Sequence, residues 1–403
     1  MTQQELKSNN KDNKEPKITY IEVEGSQYDM GLQQAEKLKE RYDKFFNEMI
    51  TSDLITNVKP KFMTMGMLIK ILGWFSKRKL KPVLKKYAPN THEYILGMAD
   101  GFKIKKNLAY ALNLLEILTG HPTLTMNWPS NIGCTQIFAL GNATSDGIDV
   151  FARNYDFPNE LEEYQIVRVK KPDDKYKTIG LTQDFIAGVH HGMNEKGLAI
   201  GINYGRSWKK DVNGKPDYRI GGLPSTILCQ EALENCSNVD EAIEFITKCP
   251  IRGNGSFYGC LDKQGNAVVI ETTASRHALH YPEDGILVQT NLYQTKELMD
   301  ANVPKEVTWK TKHMTRPYYL SPQRRFKRAH ELMMKNKGKL NKDIMYEILS
   351  DHAGREPDDD TICTHGEVGS TLATITCIPK KMEFWVINTH PCMGKQKLFK
   401  LEG

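Results

Sequence analysis

The 403-residue sequence has no Cys-x-x-Cys pair and no run of 18 or more apolar residues. It also lacks a G-x-S-x-G frame and a dinucleotide-type glycine fingerprint. Each absence closes a class. The eight cysteines, Cys134, Cys229, Cys236, Cys249, Cys260, Cys363, Cys377 and Cys392, are too loosely spaced to read as a disulfide framework in a chain this long. Cys363-x-His365 offers two ligand-type residues, but no second pair stands at metal spacing, so no metal site is expected. Ser225 in GGLPSTI has no nucleophile elbow around it, and Gly201 and Gly205 do not frame a dinucleotide, so no cofactor is expected. No transmembrane helix is expected either. The opening MTQQELKSNNKDNKEPK has no apolar core like that of a secretory signal. A reducing cytoplasm, where thiols stay free for chemistry, is the expected setting. Net charge is only +6, with Lys and Arg spread along the chain, which gives nucleic-acid binding little support.

What is present is an ordinary globular composition, 39% hydrophobic and 26% charged, long enough to bury a large core. Residues 1–17 read as a solvated tail. ITYIEVEG alternates like a strand. Helical patterns cover Tyr28–Met49 and Thr91–Thr119, so the first 130 residues are helix-rich. The texture changes at Asn131. Two apolar runs flank Ser145-Asp146-Gly147 and read as a β-hairpin. Strands follow in YQIVRVKK, KTIGLTQ, GLAIGINY, FYGCLD, NAVVIETT and GILVQTN, and again in TLATITCIP and KMEFWVINT. Helical patterns near STILCQEALENC, VDEAIEFITKC, QRRFKRAHELMMK and KDIMYEIL interrupt them. This order argues for an α+β layered sandwich.

Cys134 carries the chemical signal. A free cysteine is most often a buried core residue. Here it follows Gly133, whose missing side chain leaves room for a thiolate to attack the carbonyl before it. An N-to-S acyl shift and hydrolysis would free an α-amino group on Cys134. Such an amine has an ordinary pKa near 8. It can take the thiol proton, so nucleophile and base belong to one residue.

The surrounding motifs carry a resemblance. NIGCTQIFALGNATSDGIDVFARNYDF resembles the nucleophile hairpin of the choloylglycine hydrolase and penicillin-precursor acyltransferase families of N-terminal-nucleophile hydrolases, with Arg153-Asn154-Tyr155-Asp156 as its R-N-x-D. HGMNEKGLAIGINY, VQTNLY, SPQRRFKRAHEL and the C-terminal TICTHGEVGSTLATITCIPKKMEFWVINTHPC are similar to further elements of those families, in order. The resemblance implies a four-layer αββα fold for residues 134–403, preceded by a helix-rich segment, 18–133, that stays bound after self-cleavage between Gly133 and Cys134. It implies that Asp156 holds the new α-ammonium and that Arg153 sits by the thiol and lowers its pKa. Asn291 would donate to the oxyanion, Asn203 would add a second donor through its backbone, and Arg325, rather than Arg324, would steady the network. The implied reaction is hydrolysis of a linear, non-peptide amide, such as an N-acyl or bile-acid-like conjugate. Acyl transfer to or from coenzyme A or an amine is the alternative. A non-catalytic binding protein on the same fold is the rival of another class.

One segment stands apart. Phe62–Phe75, FMTMGMLIKILGWF, is apolar, too short to span a bilayer, and followed by the basic SKRKLKPVLKK. It reads as a buried helix or as a surface for acyl chains. Trp74 and Phe75, with Phe157, His190 and Tyr204, are the candidate substrate contacts. His190-His191 precedes Gly192 in an expected tight turn, where exposure is the default reading. The expected partners are a small amide substrate, further copies of the chain and, through residues 62–81, a membrane or lipid; nucleic acid is not expected.

Overall fold

Alternation along the strands decides which way each sheet faces. The computed structural model describes residues 18–52, 56, 59, 61–120, 133–208, 217–310, 315–366 and 369–401. The tail at 1–17 and the Asn131-Ile132 half of the NIGC motif lie outside them. One sheet has eight strands in the order β1 (Thr19–Gly25), β4 (Gln165–Pro172), β5 (Thr178–Gln183), β6 (His191–Asn194), β7 (Leu198–Gly205), β8 (Gly255–Asp262), β9 (Ala267–Thr272) and β10 (His277–His280). The other has six: β11 (Ile286–Gln289), β2 (Cys134–Ala139), β3 (Val150–Pro158), β14 (Gly369–Ile378), β15 (Glu383–Ile387) and β16 (Lys397–Lys400). A two-stranded ribbon pairs β12 (Thr308–Lys310) with β13 (Thr315–Pro317).

On β2, Gln136 and Phe138 look across to the larger sheet. Gln136 Nε2 donates to the carbonyl of Gly201 on β7 at 2.9 Å. Ile137 and Ala139 look the other way. With Val150, Ala152, Ile286 and Val288 they form an apolar layer under α8 (Leu320–Lys335) and α9 (Lys342–Leu349), which contribute Ala329, Met333, Met345, Ile348 and Leu349. The helices α6 (Ser225–Asn235) and α7 (Val239–Thr247) cover the outer face of the larger sheet over β6–β9. The layers therefore run α–β–β–α, as expected.

The helix-rich segment is joined to this sandwich rather than merely placed beside it. Its strand β1 pairs in parallel with β4, from Thr19 opposite Ile166 to Gly25 opposite Pro172. Its helices are α1 (Gln27–Lys37), α2 (Lys39–Thr51), α3 (Met65–Tyr87), α4 (Pro89–Gly101) and α5 (Lys106–Gly120). The continuous helix read over Tyr28–Met49 breaks at Leu38, whose φ of −115° and ψ of 10° leave the helical region. Helices α1 and α4 touch backbone to backbone. A Cβ at Gly31 would come within 2.0 Å of the Tyr94 carbonyl oxygen, and one at Gly97 within 2.0 Å of that of Tyr28. Only glycine fits there. Phe45 of α2 stacks on Phe185 at 4.1 Å between ring centres. Arg168 of β4 donates to Gln34 of α1 at 2.9 Å and to the carbonyls of Ile186, Ala187 and Gly188.

The expected hairpin around Ser145-Asp146-Gly147 forms, joining β2 to β3 through a long connection. Strand β2 ends at Ala139 and β3 begins at Val150, with Ala139 opposite Val150. The connection docks on the loop between α8 and α9 instead of turning at once: Ser145 N donates to Leu340 O at 2.9 Å and Gly338 N to Ala143 O at 2.8 Å. Among the described residues no helix is long and apolar enough to cross a membrane.

Candidate active site

Register brings the proposed residues together. Cys134 lies opposite Tyr155, and Gln136 opposite Arg153, so Cys134, Arg153 and Tyr155 share the face turned to the larger sheet. Arg153 Nη2 donates to Cys134 Sγ at 3.0 Å. Arg153 Nε donates to Asn203 Oδ1 at 3.1 Å, from β3 across to β7. On the other side of β2, Gln289 of β11 pairs with Gln136, which sets Asn291 just past the strand, level with Cys134. Asn291 Oδ1 accepts from the Cys134 backbone N–H at 2.9 Å and from Arg325 Nη2 at 2.8 Å. Its Nδ2 donates to Tyr204 O at 2.9 Å.

Arg325 enters from α8, fully buried, and donates to Cys134 O at 2.7 Å and to Thr135 Oγ1 at 3.0 Å. Arg324 is turned to the surface and paired with Asp360. Asp156 is buried beside Gly133. Its carboxylate accepts from Thr371 Oγ1 at 2.6 Å and Thr364 Oγ1 at 3.5 Å, with Arg325 at 3.9 Å. A Cβ on Gly133 would lie 2.9 Å from both Asp156 Oδ2 and Arg325 Nη2. A side chain there would push against the Asp156 and Arg325 head groups. The Asp156 backbone N–H donates to Gly133 O at 3.2 Å.

In this continuous chain the Cys134 nitrogen is a peptide amide, standing where an α-amine would be after cleavage. Burial pushes the Cys134 thiol above its ordinary value, and Arg153 pulls it back only in part. Arg153 thus sits by the thiol and lowers its pKa as expected, but in the uncut chain desolvating a thiolate outweighs one guanidinium. Burial likewise raises Asp156, against the downward pull of Arg325 and the Thr371 hydrogen bond. An α-ammonium between Cys134 and Asp156 would supply a positive charge now missing and favour both anions.

The side chain of Asn203 is committed to framework. Its Nδ2 reaches the carbonyls of Gln289 at 3.0 Å, Thr290 at 3.2 Å and Cys134 at 3.4 Å. Two polar atoms are left over on this face: Arg153 Nη1 and, opposite it, Gln136 Oε1 are buried and have no hydrogen-bond partner among the described residues.

The candidate substrate contacts divide. Tyr155, Phe157, His190 and Tyr204 form an aromatic group around the thiol side. Tyr155 stacks on Phe157 at 5.1 Å, and His190 lies between the hydroxyls of Tyr155 at 3.4 Å and Tyr204 at 3.3 Å. Exposure of His190-His191 does not hold. Both are buried, because this edge of β6 faces the other sheet, where His191 packs on Phe151 at 4.6 Å. Burial pushes His190 down to about 3, with Arg153 and Arg168 adding to the effect, so its ring is neutral near pH 7. Trp74 and Phe75 instead sit on α3. The Trp74 ring is 57% exposed and takes Arg78 at 5.5 Å; Phe75 is half-buried against the core. Phe62, Met67 and Ile71 are exposed with Trp74, so this segment is not sealed inside the helical region.

Sequence reasoning missed Thr364 and Thr371, the hydroxyl partners of Asp156. They sit more than 200 positions away, and nothing in their local pattern announces the contact. It also missed a second cluster. The expectation that Cys363 and His365 have no second ligand pair fails, because folding brings His352 and Cys392 beside them.

The family model described as acyl-coenzyme A:6-aminopenicillanic acid acyl-transferase matches residues 143–391, more than half of the chain. That span holds Arg153, Asp156, Asn203, Asn291 and Arg325, and begins after Cys134. No curated protein matches the sequence. Among solved structures, a Caenorhabditis elegans ortholog of N-acylethanolamine-hydrolyzing acid amidase is 18% identical, covering 61% of this chain and 93% of its own, with a TM-score of 0.42. A mutant form of conjugated bile acid hydrolase from Clostridium perfringens is 18% identical, covering 67% and 97%, with a TM-score of 0.40. Penicillin V acylase from Agrobacterium tumefaciens is 16% identical, covering 63% and 82%, with a TM-score of 0.39.

Proposed function

The chain belongs to the acyl-coenzyme A:6-aminopenicillanic acid acyl-transferase family, and on that footing we propose that it is a self-processed N-terminal-nucleophile hydrolase of linear, non-peptide amides, acting through a thioester on Cys134. The observation that carries the reading is the set of contacts on one residue. Cys134 has its sulfur under Arg153 at 3.0 Å, its nitrogen on Asn291 at 2.9 Å and its carbonyl on Arg325 at 2.7 Å. A core cysteine needs none of these. A residue that serves as both nucleophile and base needs its sulfur and nitrogen held together.

Self-cleavage begins with attack of Cys134 Sγ on the Gly133 carbonyl carbon. The S–C bond forms, the C–N bond breaks, and the thiol proton ends on the departing nitrogen. The Asp156 N–H, already on Gly133 O, stabilises the developing oxyanion. Water then hydrolyses the thioester and leaves a carboxylate on Gly133 and a free amine on Cys134. In turnover that amine takes the thiol proton and the sulfur attacks the substrate carbonyl. The ammonium returns the proton to the leaving amine, and water releases the acid. Asn291 has one amide proton beyond its bond to Tyr204, which suits it to the oxyanion, and Arg153 Nη1, without a hydrogen-bond partner among the described residues, has a proton to offer a substrate acceptor.

Intact mass measurement tests this: two chains, the second beginning at Cys134, are expected, with one full-length chain in Cys134→Ala. A cut elsewhere, or a Cys134→Ala protein that still splits, overturns the reading. Transfer to an amine or to coenzyme A in place of water is the alternative within the same intermediate. Product analysis with an added acceptor separates the two. Retention of one chain with no thiol labelling at Cys134 would favour a binding protein on this fold.

The exposed stripe Met67, Ile71 and Trp74 on α3, flanked by Lys77, Arg78 and Lys81, supports an apolar acyl part in the substrate and contact with an anionic lipid surface. All eight cysteines are free, in keeping with a reducing, cytoplasmic setting. Assembly into a homo-oligomer stays part of the proposal.

A further inference from the structure

We propose that His352, Cys363, His365 and Cys392 form a zinc site outside the catalytic centre, which clamps the C-terminal segment onto the loop that supports Asp156. The ligand-capable atoms of these four side chains all lie within 4.8 Å of one another. His365 Nε2 is 3.3 Å from Cys363 Sγ and 3.3 Å from Cys392 Sγ. One ring nitrogen has either a proton or a lone pair, so it cannot make full hydrogen bonds to two sulfurs. A shared cation accounts for both distances. Zinc–sulfur bonds of about 2.3 Å and zinc–nitrogen bonds of about 2.0–2.1 Å at tetrahedral angles put sulfur and nitrogen ligands roughly 3.6 Å apart. A second observation points to a ligand: the His352 side chain lies beside Cys392, while its buried Nε2 completes no hydrogen bond of regular geometry among the described residues.

The donor set selects the metal. Two thiolates and two imidazoles in a compact group suit zinc, and four protein ligands close the shell, as in structural sites. Calcium and magnesium prefer oxygen donors. The surroundings are ordered around the cluster. The His365 ring packs edge-on against His390 at 4.0 Å between centres, and His390 Nδ1 bonds the Thr371 carbonyl at 2.6 Å. Cys363 N donates to Asp351 O at 3.2 Å, and the Asp351 carboxylate is held by Arg328 at 2.9 Å.

The position has a consequence for the catalytic centre. Thr364 lies between two of the ligands, Cys363 and His365. Its hydroxyl faces Asp156 at 3.5 Å, and its N–H donates at 2.9 Å to Thr371 Oγ1, the other hydroxyl on that carboxylate. A metal fixing residues 363 and 365 fixes 364 between them. Thr364 and Thr371 are then positioning residues for Asp156.

Metal analysis of the full-length protein, purified with reductant and without chelator, tests the proposal. About one zinc per chain is expected. After stripping with a chelator, cobalt(II) should restore binding with the visible bands of a tetrahedral site and thiolate-to-cobalt charge transfer. Cys392→Ser, at an exposed ligand, should weaken zinc binding beyond the roughly 100-fold that supporting contacts alone cost, and reduce the charge-transfer band. If that variant fails to fold, His352→Ala is read the same way. Measurements in the Cys134→Ala background keep the result independent of catalysis and of self-cleavage. Substoichiometric metal in the reduced protein, equal zinc in wild type and both variants, or a Cys363–Cys392 disulfide in protein trapped with a thiol-blocking reagent would each overturn it.

Discussion

Cys134 and its partners are placed by strand register, whereas His352, Cys363, His365 and Cys392 are placed by loops around one end of the smaller sheet. The difference governs how each responds to change. In the first region, a partner two residues along a strand lies on the same face whatever happens in the connections. Arg153 reaches the thiol because Tyr155 is opposite Cys134. In the second, no ladder holds His352 against Cys392, and only side-chain contacts bring them together. Disturbing the first region should therefore abolish chemistry and leave the fold. Disturbing the second should loosen the fold locally and affect chemistry only through Asp156.

The largest effect expected is from Cys134→Ala. Hydrolysis and self-cleavage should both fall to background, while the metal content of the loop cluster stays unchanged; loss of zinc in this variant would show that the two regions are one. Next is Asn291→Ala, which removes the acceptor for Cys134 N–H and the proposed oxyanion donor together. Turnover should drop about 100-fold or more, read as initial rate on any cleaved amide, with an unchanged circular dichroism spectrum. A turnover within threefold of wild type would move the oxyanion site elsewhere.

Chelation should act more gently. Removing zinc should lower the thermal midpoint by several degrees, since about 1 kcal/mol moves a domain larger than 150 residues by roughly 2–4 °C. It should lower turnover less than Asn291→Ala does. A chelator that abolished hydrolysis outright, with zinc restoring it, would make the cluster part of the chemistry and erase the contrast.

Acid should separate the regions as well. His190 is held at about 3, below its ordinary 6.5, by burial first and by Arg153 and Arg168 second. Below pH 6.5 the unfolded chain takes a proton that folded His190 refuses. Its contribution to stability is therefore complete above 6.5 and lost as pH falls toward 3, at up to about 1.4 kcal/mol per pH unit. Urea midpoints at pH 7 and pH 4 should differ less in His190→Gln than in wild type; an identical difference would mean that other groups, such as His191, carry the acid sensitivity. The smallest effect belongs to Trp74→Ala. Binding to vesicles containing anionic lipid should weaken a few-fold, and the Michaelis constant should rise more for long-chain than for short-chain amides. Equal behaviour toward both chain lengths would return this stripe to an ordinary surface.

The same contrast explains what the sequence reveals. The αββα layering follows from alternating strands interrupted by helix pairs, and β2, β3 and β7 lie where the pattern puts them. The grouping of Cys134, Arg153, Asp156, Asn203, Asn291 and Arg325 follows from motifs on strand ends and one helix. Besides Thr364 and Thr371, three things did not come through. Leu38 breaks a helix by local backbone geometry that apolar periodicity does not encode. His190 and His191 look like turn residues, yet sheet packing buries them. The loop cluster is half visible, since Cys363-x-His365 is local. His352 and Cys392 join it only through the fold, and spacing rules see only neighbours along the chain.

The parallel pairing of β1 with β4 has a further consequence once the bond before Cys134 is cut. The edge strand of the larger sheet then belongs to a different polypeptide from its neighbour, held by the β1–β4 ladder, the Gln34–Arg168 contact and the Phe45–Phe185 stack. Unfolding and refolding of the uncut chain are first-order events, with no partner to find. Unfolding of the cut protein releases two fragments whose reunion is second order and slows with dilution. On the proposed self-cleavage, the cut protein should refold poorly at low concentration while Cys134→Ala refolds at a rate independent of it; the cut would then make assembly a one-time event, with the two-chain molecule protected by its unfolding barrier.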